Sequence, residues 1–153
     1  ERQAEEQAEV PAPESMRLFL AANVLFTAAH NPGGRSAALF ELARAGVCTL
    51  VTSPHAIEEA RRNLQLKYPS AVDALERLVE EASVGPEASS KAVAWALEQG
   101  LPLKDAPILA AAVEARSDIL VTGDRTHFGS LFGRRLRAVE VLPAAKALAR
   151  LMR

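Results

Sequence analysis

The sequence predicts an α/β domain of three layers, in which helices cover both faces of a central, mainly parallel sheet of four or five strands. Two observations support this. Short apolar segments alternate along the chain with longer segments of helical periodicity, which is the order expected of βαβ units. The predicted strands are also apolar at most positions rather than at every second one, as in sheets that are buried on both faces.

In the first half of the domain, glycine, proline and helix-capping residues set the boundaries of the elements. Ser53 and Pro54 are the expected cap and first residue of one helix, and Gly46 is expected to end another. The predicted strands are Arg17–Leu20 and Val47–Thr52, and the predicted helices are Asn23–His30, Ser36–Ala45, Pro54 to about Tyr68, and Pro69 or Ser70 to about Ala82.

The second half begins with a break or short strand and continues with helices and strands in alternation. Gly100 and Pro102 interrupt the helical pattern there. The predicted elements are a possible strand at Val84–Pro86, a helix over Ala88–Gln99, a helix from Asp105 to about Arg116, strands at Asp118–Thr122 and Ala138–Leu142, and a C-terminal helix from Pro143.

The chain of 153 residues is expected to form one domain over residues 16–153, preceded by an acidic extension or linker over residues 1–15. Residues 1–15 hold five Glu and one Arg, so that with a formal net charge of −1 for the whole chain the remainder carries +3. The acidic extension could dock on a basic surface. No apolar run approaches the roughly 20 residues that span a bilayer, and the polar start does not resemble a signal peptide. A single cysteine, Cys48, favours a cytoplasmic location.

Acidic residues stand where predicted strands end or predicted helices begin. Asp124 follows a strand, Asp105 begins a helix, and Glu58 and Glu59 lie in the first turns of the helix that Ser53 caps. Each alone has an ordinary structural explanation as a turn residue, a helix cap or a first-turn acid. Because parallel strands place their carboxyl ends at one edge of the sheet, we expect the carboxylates to meet there. Such a cluster binds hard divalent cations.

The segment Met16–Asn23 has the same strand-to-helix form but carries a methyl group, at Ala21, where a further carboxylate would complete the set. On a helical wheel, Ile57, Ala60, Leu64 and Tyr68 form the buried stripe of the helix after Ser53. Both glutamates lie beside this stripe, so the periodicity does not decide between Glu58 and Glu59.

Five segments together resemble a PIN domain, a family of metal-dependent ribonucleases that includes many toxins of bacterial toxin–antitoxin pairs. They read L-F-L-A-A-N-V-L-F from Leu18, N-P-G-G-R-S-A-A-L-F-E-L-A-R-A-G from Asn31, L-V-T-S-P-H-A-I-E-E-A-R-R-N-L from Leu50, K-D-A-P-I-L-A-A-A-V from Lys104 and I-L-V-T-G-D-R-T-H-F from Ile119. The resemblance covers Met16 to about Pro143, and it implies a PIN-like fold and a site for Mg²⁺ or Mn²⁺.

The resemblance also implies the roles of particular residues. The helix glutamate of the family falls on Glu59, with Glu58 as the rival, and its third and fourth acids fall on Asp105 and Asp124. The supporting hydrogen-bonding positions fall on Asn23 and Thr122, and Ser53 precedes the glutamate-bearing helix. The family's first aspartate falls on Ala21, so we expect weakened metal binding and little or no cleavage. An engineered inactivating substitution is favoured over a naturally inactive protein that kept the fold for binding.

The implied substrate is RNA, and the implied partners are an antitoxin protein and a second copy of the chain. Arginines that could hold RNA phosphates are Arg35, Arg125, Arg134, Arg135 and Arg137. His127 and Phe128 could stack a base, although Phe128 is better explained as a core residue.

Two other functions compete with the ribonuclease. One is a non-catalytic PIN-fold module that binds RNA or a protein. The other is an α/β phosphatase or receiver-like domain, which also uses strand-end aspartates. Leu20–Asn23 contains no acid at the first strand end, which disfavours the second alternative. No phosphate-binding glycine motif is present either.

Overall fold

Six strands form one sheet in residues 15–153, the part of the chain that the computed structural model describes. They are β1 (Met16–Leu20), β2 (Cys48–Thr52), β3 (Ser83–Val84), β4 (Ile119–Val121), β5 (Arg135–Leu136) and β6 (Val139–Leu142). Their order is β3-β2-β1-β4-β6-β5, and all neighbours are parallel except β5 and β6. The predicted α/β fold with a mainly parallel sheet is confirmed. The predicted acidic extension lies, apart from Ser15, outside the described residues.

Eight α-helices occur in the same part of the chain, and they pack in two groups. They are α1 (Ala22–His30), α2 (Arg35–Arg44), α3 (Pro54–Lys67), α4 (Val72–Val79), α5 (Ser90–Leu97), α6 (Ala106–Glu114), α7 (Arg125–Phe128) and α8 (Ala144–Leu151). Helix α1 packs against α2, α3 and α4, and α2 against α8, while α5 packs against α6. None of the helices in residues 15–153 is both long and apolar enough to cross a membrane.

The central strands β1 and β4 are the most deeply buried part of the sheet. Leu18, Phe19 and Leu20 expose at most 1% of their surface, and β4 is fully buried. Strand β1 lies between β2 and β4, with Leu20 opposite Val121. Parallel pairing therefore brings the residues that follow β1, β2 and β4 to one edge of the sheet.

The sequence did not predict β5, which forms a hairpin with β6 and brings the number of strands to six. Its two-residue turn, Arg137 and Ala138, has φ values of 48° and 71°. Turns with two positive φ values normally carry Asn or Gly. With Arg and Ala in the turn, the usual sequence signal was missing, and the predicted strand started one residue early, at Ala138.

Tyr68 departs from the predicted buried stripe of α3. The helix ends at Lys67, because a residue that precedes a proline is disfavoured in helical conformation. Tyr68 is therefore 47% exposed, and its ring stacks on that of His30 with 4.4 Å between centroids. The other members of the stripe, Ile57, Ala60 and Leu64, are buried as predicted.

A buried hydrogen bond ties β2 to the end of β1, and its loss should destabilise the sheet next to the strand ends. The Thr52 hydroxyl donates to the Leu20 carbonyl oxygen at 2.9 Å, and Thr52 is fully buried. Thr52→Val keeps the shape and removes the bond, so we expect the free energy of unfolding in urea to fall by about 1–2 kcal/mol. The matched control is Thr49→Val on the same strand, where no described residue bonds the hydroxyl. A loss for Thr52→Val no larger than the control's would contradict the assignment.

Candidate metal centre

A cleft of about 290 Å³ opens at the edge of the sheet where the parallel strands end. It brings together four positions that are far apart in sequence, namely Ala21, Glu59, Asp105 and Asp124. Ala21 lies between β1 and α1, and its backbone N–H donates to the Val121 carbonyl at 3.1 Å. The structure therefore places the three expected carboxylates and the side chain of residue 21 around a single space.

Asp124 is held by hydrogen bonds to its side chain and from its backbone N–H. Its Oδ1 accepts from the His127 N–H at 3.1 Å and thereby caps α7, and its own N–H donates to Thr122 Oγ1 at 3.2 Å. Burial alone would raise the pKa of the Asp124 carboxyl, but the hydrogen bonds and charge of His127 outweigh it. The net result is a pKa below the usual value, so this carboxylate is an ionised acceptor at neutral pH.

Asn23 braces the loop that carries Asp124. Its Nδ2 donates to Thr122 Oγ1 at 3.1 Å, and its Oδ1 accepts from the Gly123 N–H at 2.8 Å. The start of α1 is thus bonded to the residues that follow β4. Such bonds fix the direction in which the Asp124 side chain enters the cleft.

Asp105 has the most deeply buried side chain of the three acids of the cleft. It stands at the N-cap position of α6 but makes no side-chain capping bond, and only 7% of its surface is exposed. Its buried Oδ2 accepts no hydrogen bond from the described residues. Burial raises the pKa of this carboxyl, and the charges of Asp124 and Glu59 raise it further against the opposing effect of His127 and Lys104. A buried carboxylate in this condition is stabilised by a bound cation, a hydrogen-bond donor or a proton.

His127 is a member of the cluster that the sequence did not assign to the acidic site. Its Nδ1 lies 3.0 Å from Asp124 Oδ2 and 3.1 Å from Asp105 Oδ2, the second contact without the alignment of a hydrogen bond. Phe128, in contrast, is buried and belongs to the core, which favours the structural explanation of this residue over base stacking. The three-residue spacing between Asp124 and His127 indicates a contact between their side chains only where a helix begins at Arg125, and the sequence did not predict that helix.

Glu59, rather than Glu58, faces the cleft. The Glu58 side chain is 60% exposed and pairs with Arg61 at 2.9 Å. The Glu59 side chain is 26% exposed, and its Oε1 lies 3.9 Å from His55 Nε2, which is also 3.1 Å from the Lys104 carbonyl oxygen. Ser53 does not line the cleft; its buried hydroxyl accepts from the Ala56 N–H at 3.2 Å and caps α3.

The arginines predicted to contact RNA do not line the cleft. Arg125 is exposed beside it at the first residue of α7. Two of the others already have partners, because Arg137 lies 4.2 Å above the Trp95 ring and Arg135 is 3.8 Å from Glu140. Arg134, like Arg35 at the start of α2, is exposed.

The donor atoms of Asp105 and Asp124 in the cleft and of His127 beside it fit a divalent cation. One ligand atom each from Asp105, Asp124 and His127 can be chosen so that all lie within 4.8 Å of one another. Carboxylate oxygens are the ligands that Mg²⁺ and Mn²⁺ prefer. The orphaned Asp105 Oδ2 and the mutual repulsion of the carboxylates both favour a bound positive charge.

Comparison with known proteins identifies the family of the chain. The PIN domain sequence family matches residues 17–126, which is most of the chain. The chain therefore belongs to the PIN domain family, and the suspected resemblance is confirmed. No curated protein sequence matches the chain significantly.

Several solved structures share the fold at low sequence identity. PAE2754 from Pyrobaculum aerophilum is 18% identical with a TM-score of 0.64, covering 90% of this chain and 96% of that one. VapBC2 from Rickettsia felis, bound to a DNA fragment from its promoter, is 17% identical with a TM-score of 0.63, covering 84% and 98%. VapC20 from Mycobacterium tuberculosis, described as a Sarcin-Ricin loop cleaving toxin, is 15% identical with a TM-score of 0.53, covering 74% and 94%.

The buried carboxylate of Asp105 should be unfavourable for folding when no cation is added, because burial outweighs the effect of the nearby positive groups on its pKa. A carboxyl whose pKa is raised by the fold costs stability while it is ionised. We therefore expect Asp105→Asn to raise the free energy of unfolding, measured in urea at neutral pH with a chelator. The control is Asp73→Asn at an exposed position of α4, which should change stability by less than about 0.5 kcal/mol. A clear loss of stability for Asp105→Asn would show that its charge is already compensated.

Proposed function

We propose that this protein is a metal-dependent endoribonuclease of PIN type, a toxin of a toxin–antitoxin pair, whose activity is lost or weakened by Ala21. The observation that carries the proposal is the convergence of Glu59, Asp105 and Asp124 with residue 21 around one cleft. Membership of the PIN domain family supports the class of activity.

In this proposal Asp105 and Asp124 hold Mg²⁺ or Mn²⁺ directly, and Glu59 contributes negative charge from the facing helix. When bound, the ion polarises the scissile phosphate and lowers the pKa of a water molecule. The chain's own residues orient the ligands: Asn23 and Thr122 fix Asp124. Hydrolysis by activated water needs no nucleophilic side chain.

Ala21 removes one negative charge and at least one oxygen donor from this set, because a methyl group cannot coordinate a cation. Ion affinity and the stabilisation of a phosphorane-like transition state both depend on that donor number. An engineered substitution explains the methyl group better than natural loss in a family of active enzymes. A PIN-fold module that binds RNA or protein without cleaving it is the second candidate, and the buried methyl group at residue 21 favours it.

Partners follow from the family rather than from the cleft. A toxin of this class would bind an antitoxin protein, and we include such a partner and a homodimer in the proposal. Fold relatives named VapBC2 and VapC20 support it. The RNA substrate would enter over the exposed side of α7, where Arg125 stands beside Asp124.

Restoring the carboxylate should restore cleavage. Ala21→Asp places an acid on the wall of the cleft, so we expect Mn²⁺-dependent cleavage of single-stranded RNA to rise on the order of 100-fold, the scale of one preorganised electrostatic group at a reacting centre. The matched control is Ala21→Asn, which has nearly the same shape without the charge and should stay inactive.

The double variant Ala21→Asp with Asp105→Asn separates this activity from a contaminating nuclease, since it should lose the gain. If Ala21→Asp folds and binds Mn²⁺ but leaves RNA of several sequences intact, the binding module is the better description.

RNA affinity should depend most on arginines without protein partners. Arg125→Gln should weaken binding of a labelled single-stranded RNA and lower the slope of log affinity against log salt by roughly 0.7, the contribution of one phosphate contact. Arg137→Gln should have a smaller effect, because that guanidinium lies on the Trp95 ring. Fluorescence anisotropy at several salt concentrations measures both. Equal slopes for Arg125→Gln and the parent chain would remove Arg125 from the interface.

A further inference from the structure

We propose that the His127 imidazole is a direct ligand in this cation site, together with the carboxylates of Asp105 and Asp124. The site therefore selects nitrogen-accepting divalent ions such as Zn²⁺ and Co²⁺, in addition to the oxygen-seeking ions expected of an all-carboxylate site. This inference rests on the cation site of the proposed function and concerns which ion that site takes.

The position of His127 Nδ1 is the first argument. It lies 3.0 Å from one carboxylate oxygen and 3.1 Å from another, on Asp124 and Asp105. Ligands in adjacent positions of an octahedral ion are about 3 Å apart when each is about 2.1 Å from the metal. The nitrogen thus already stands at ligand spacing from both acids.

The second argument is the buried oxygen Asp105 Oδ2. It lies 3.1 Å from His127 Nδ1, and no described residue donates a hydrogen bond to it. When the proton on His127 Nδ1 is donated to Asp124, Asp105 Oδ2 is left without a hydrogen-bond donor. An ion shared by Nδ1 and the two carboxylates would satisfy it.

One short helix holds His127 and Asp124 next to each other. Asp124 caps α7, and His127 lies three residues later on the same helical turn, so one short helix carries both groups. His127 Nε2 makes no hydrogen bond with a described residue, so the ring is free to carry its proton there. That tautomer presents the Nδ1 lone pair to an ion.

The chemistry of the donor determines the class of ion. Mg²⁺ strongly prefers oxygen, whereas imidazole suits Zn²⁺, Co²⁺ and Ni²⁺. Almost any site binds Zn²⁺ more tightly than Mg²⁺, so affinity alone is not diagnostic. The diagnostic quantity is how the affinity for each ion changes when only the nitrogen is removed.

The test is isothermal titration of the parent chain and of His127→Gln with Zn²⁺, Co²⁺, Mn²⁺ and Mg²⁺. We expect His127→Gln to lose at least about tenfold in affinity for Zn²⁺ and Co²⁺ and less than about threefold for Mg²⁺, because only the first two gain from nitrogen. The matched control is His30→Gln, where the ring stacks on Tyr68 on another surface. It should leave all four affinities unchanged.

A spectroscopic readout separates ligation from a structural effect of the substitution. The chain has three histidines, so ¹⁵N-resolved NMR can follow each ring. Zn²⁺ should shift the Nδ1 signal of His127 and leave those of His30 and His55 near their starting positions. In the double variant Ala21→Asp with His127→Gln, Mg²⁺ binding at least as strong as in the parent would show that the cleft remains folded.

Unchanged Zn²⁺ and Co²⁺ affinity in His127→Gln, no Zn²⁺ binding by the parent chain, or no shift at His127 Nδ1 would each overturn the proposal. These outcomes are independent of RNA cleavage. The ribonuclease proposal fails instead if Ala21→Asp binds Mn²⁺ and does not cleave RNA, a result that leaves the assignment of His127 intact.

Discussion

The parallel pairing of β1 with β4 is the constraint on which the candidate site depends. Leu20 lies opposite Val121, and the Ala21 N–H continues the pairing by donating to the Val121 carbonyl. Residue 21 and Asp124 are about a hundred positions apart in sequence, yet this register places both beside the same cleft. Both strands are buried, so a shift of register would expose apolar side chains and is strongly disfavoured.

Bringing acids to that edge buries them and sets them close to one another. Asp105 shows the effect most clearly, because burial is the main cause of its raised pKa and the charges of Asp124 and Glu59 add to it. No described residue donates a hydrogen bond to its Oδ2. Asp124 shows the opposite behaviour because His127 donates to it. The imidazole acts on both acids, but only Asp124 accepts hydrogen bonds from His127, and Asp105 is the more deeply buried of the two, so the pKa values of these neighbouring carboxyls change in opposite directions.

Most of this arrangement could be predicted from sequence because it follows from local patterns. Ala21 and Thr122 follow apolar segments, and this pattern predicted that they lie at the edge of the sheet. The convergence with Asp105 was predicted from the parallel α/β topology. The β5–β6 hairpin was not predicted because its turn places Arg137 and Ala138 at positive φ, where Asn or Gly is the usual sequence signal. The position of His127 escaped because it depends on a helix of four residues, too short to produce a periodic pattern.

Residue 21 separates the fold of this protein from its chemistry. Its N–H bonds β4, and its carbonyl oxygen accepts from the Val24 and Leu25 N–H groups at 3.1 and 3.2 Å, which starts α1. These bonds belong to the backbone and are indifferent to the side chain. Exchange between alanine and aspartate at this position therefore changes the charge and donor number of the cleft while the strand-to-helix junction stays in place. The backbone bonds of residue 21 therefore maintain the shape of the cleft whichever of these two side chains stands there.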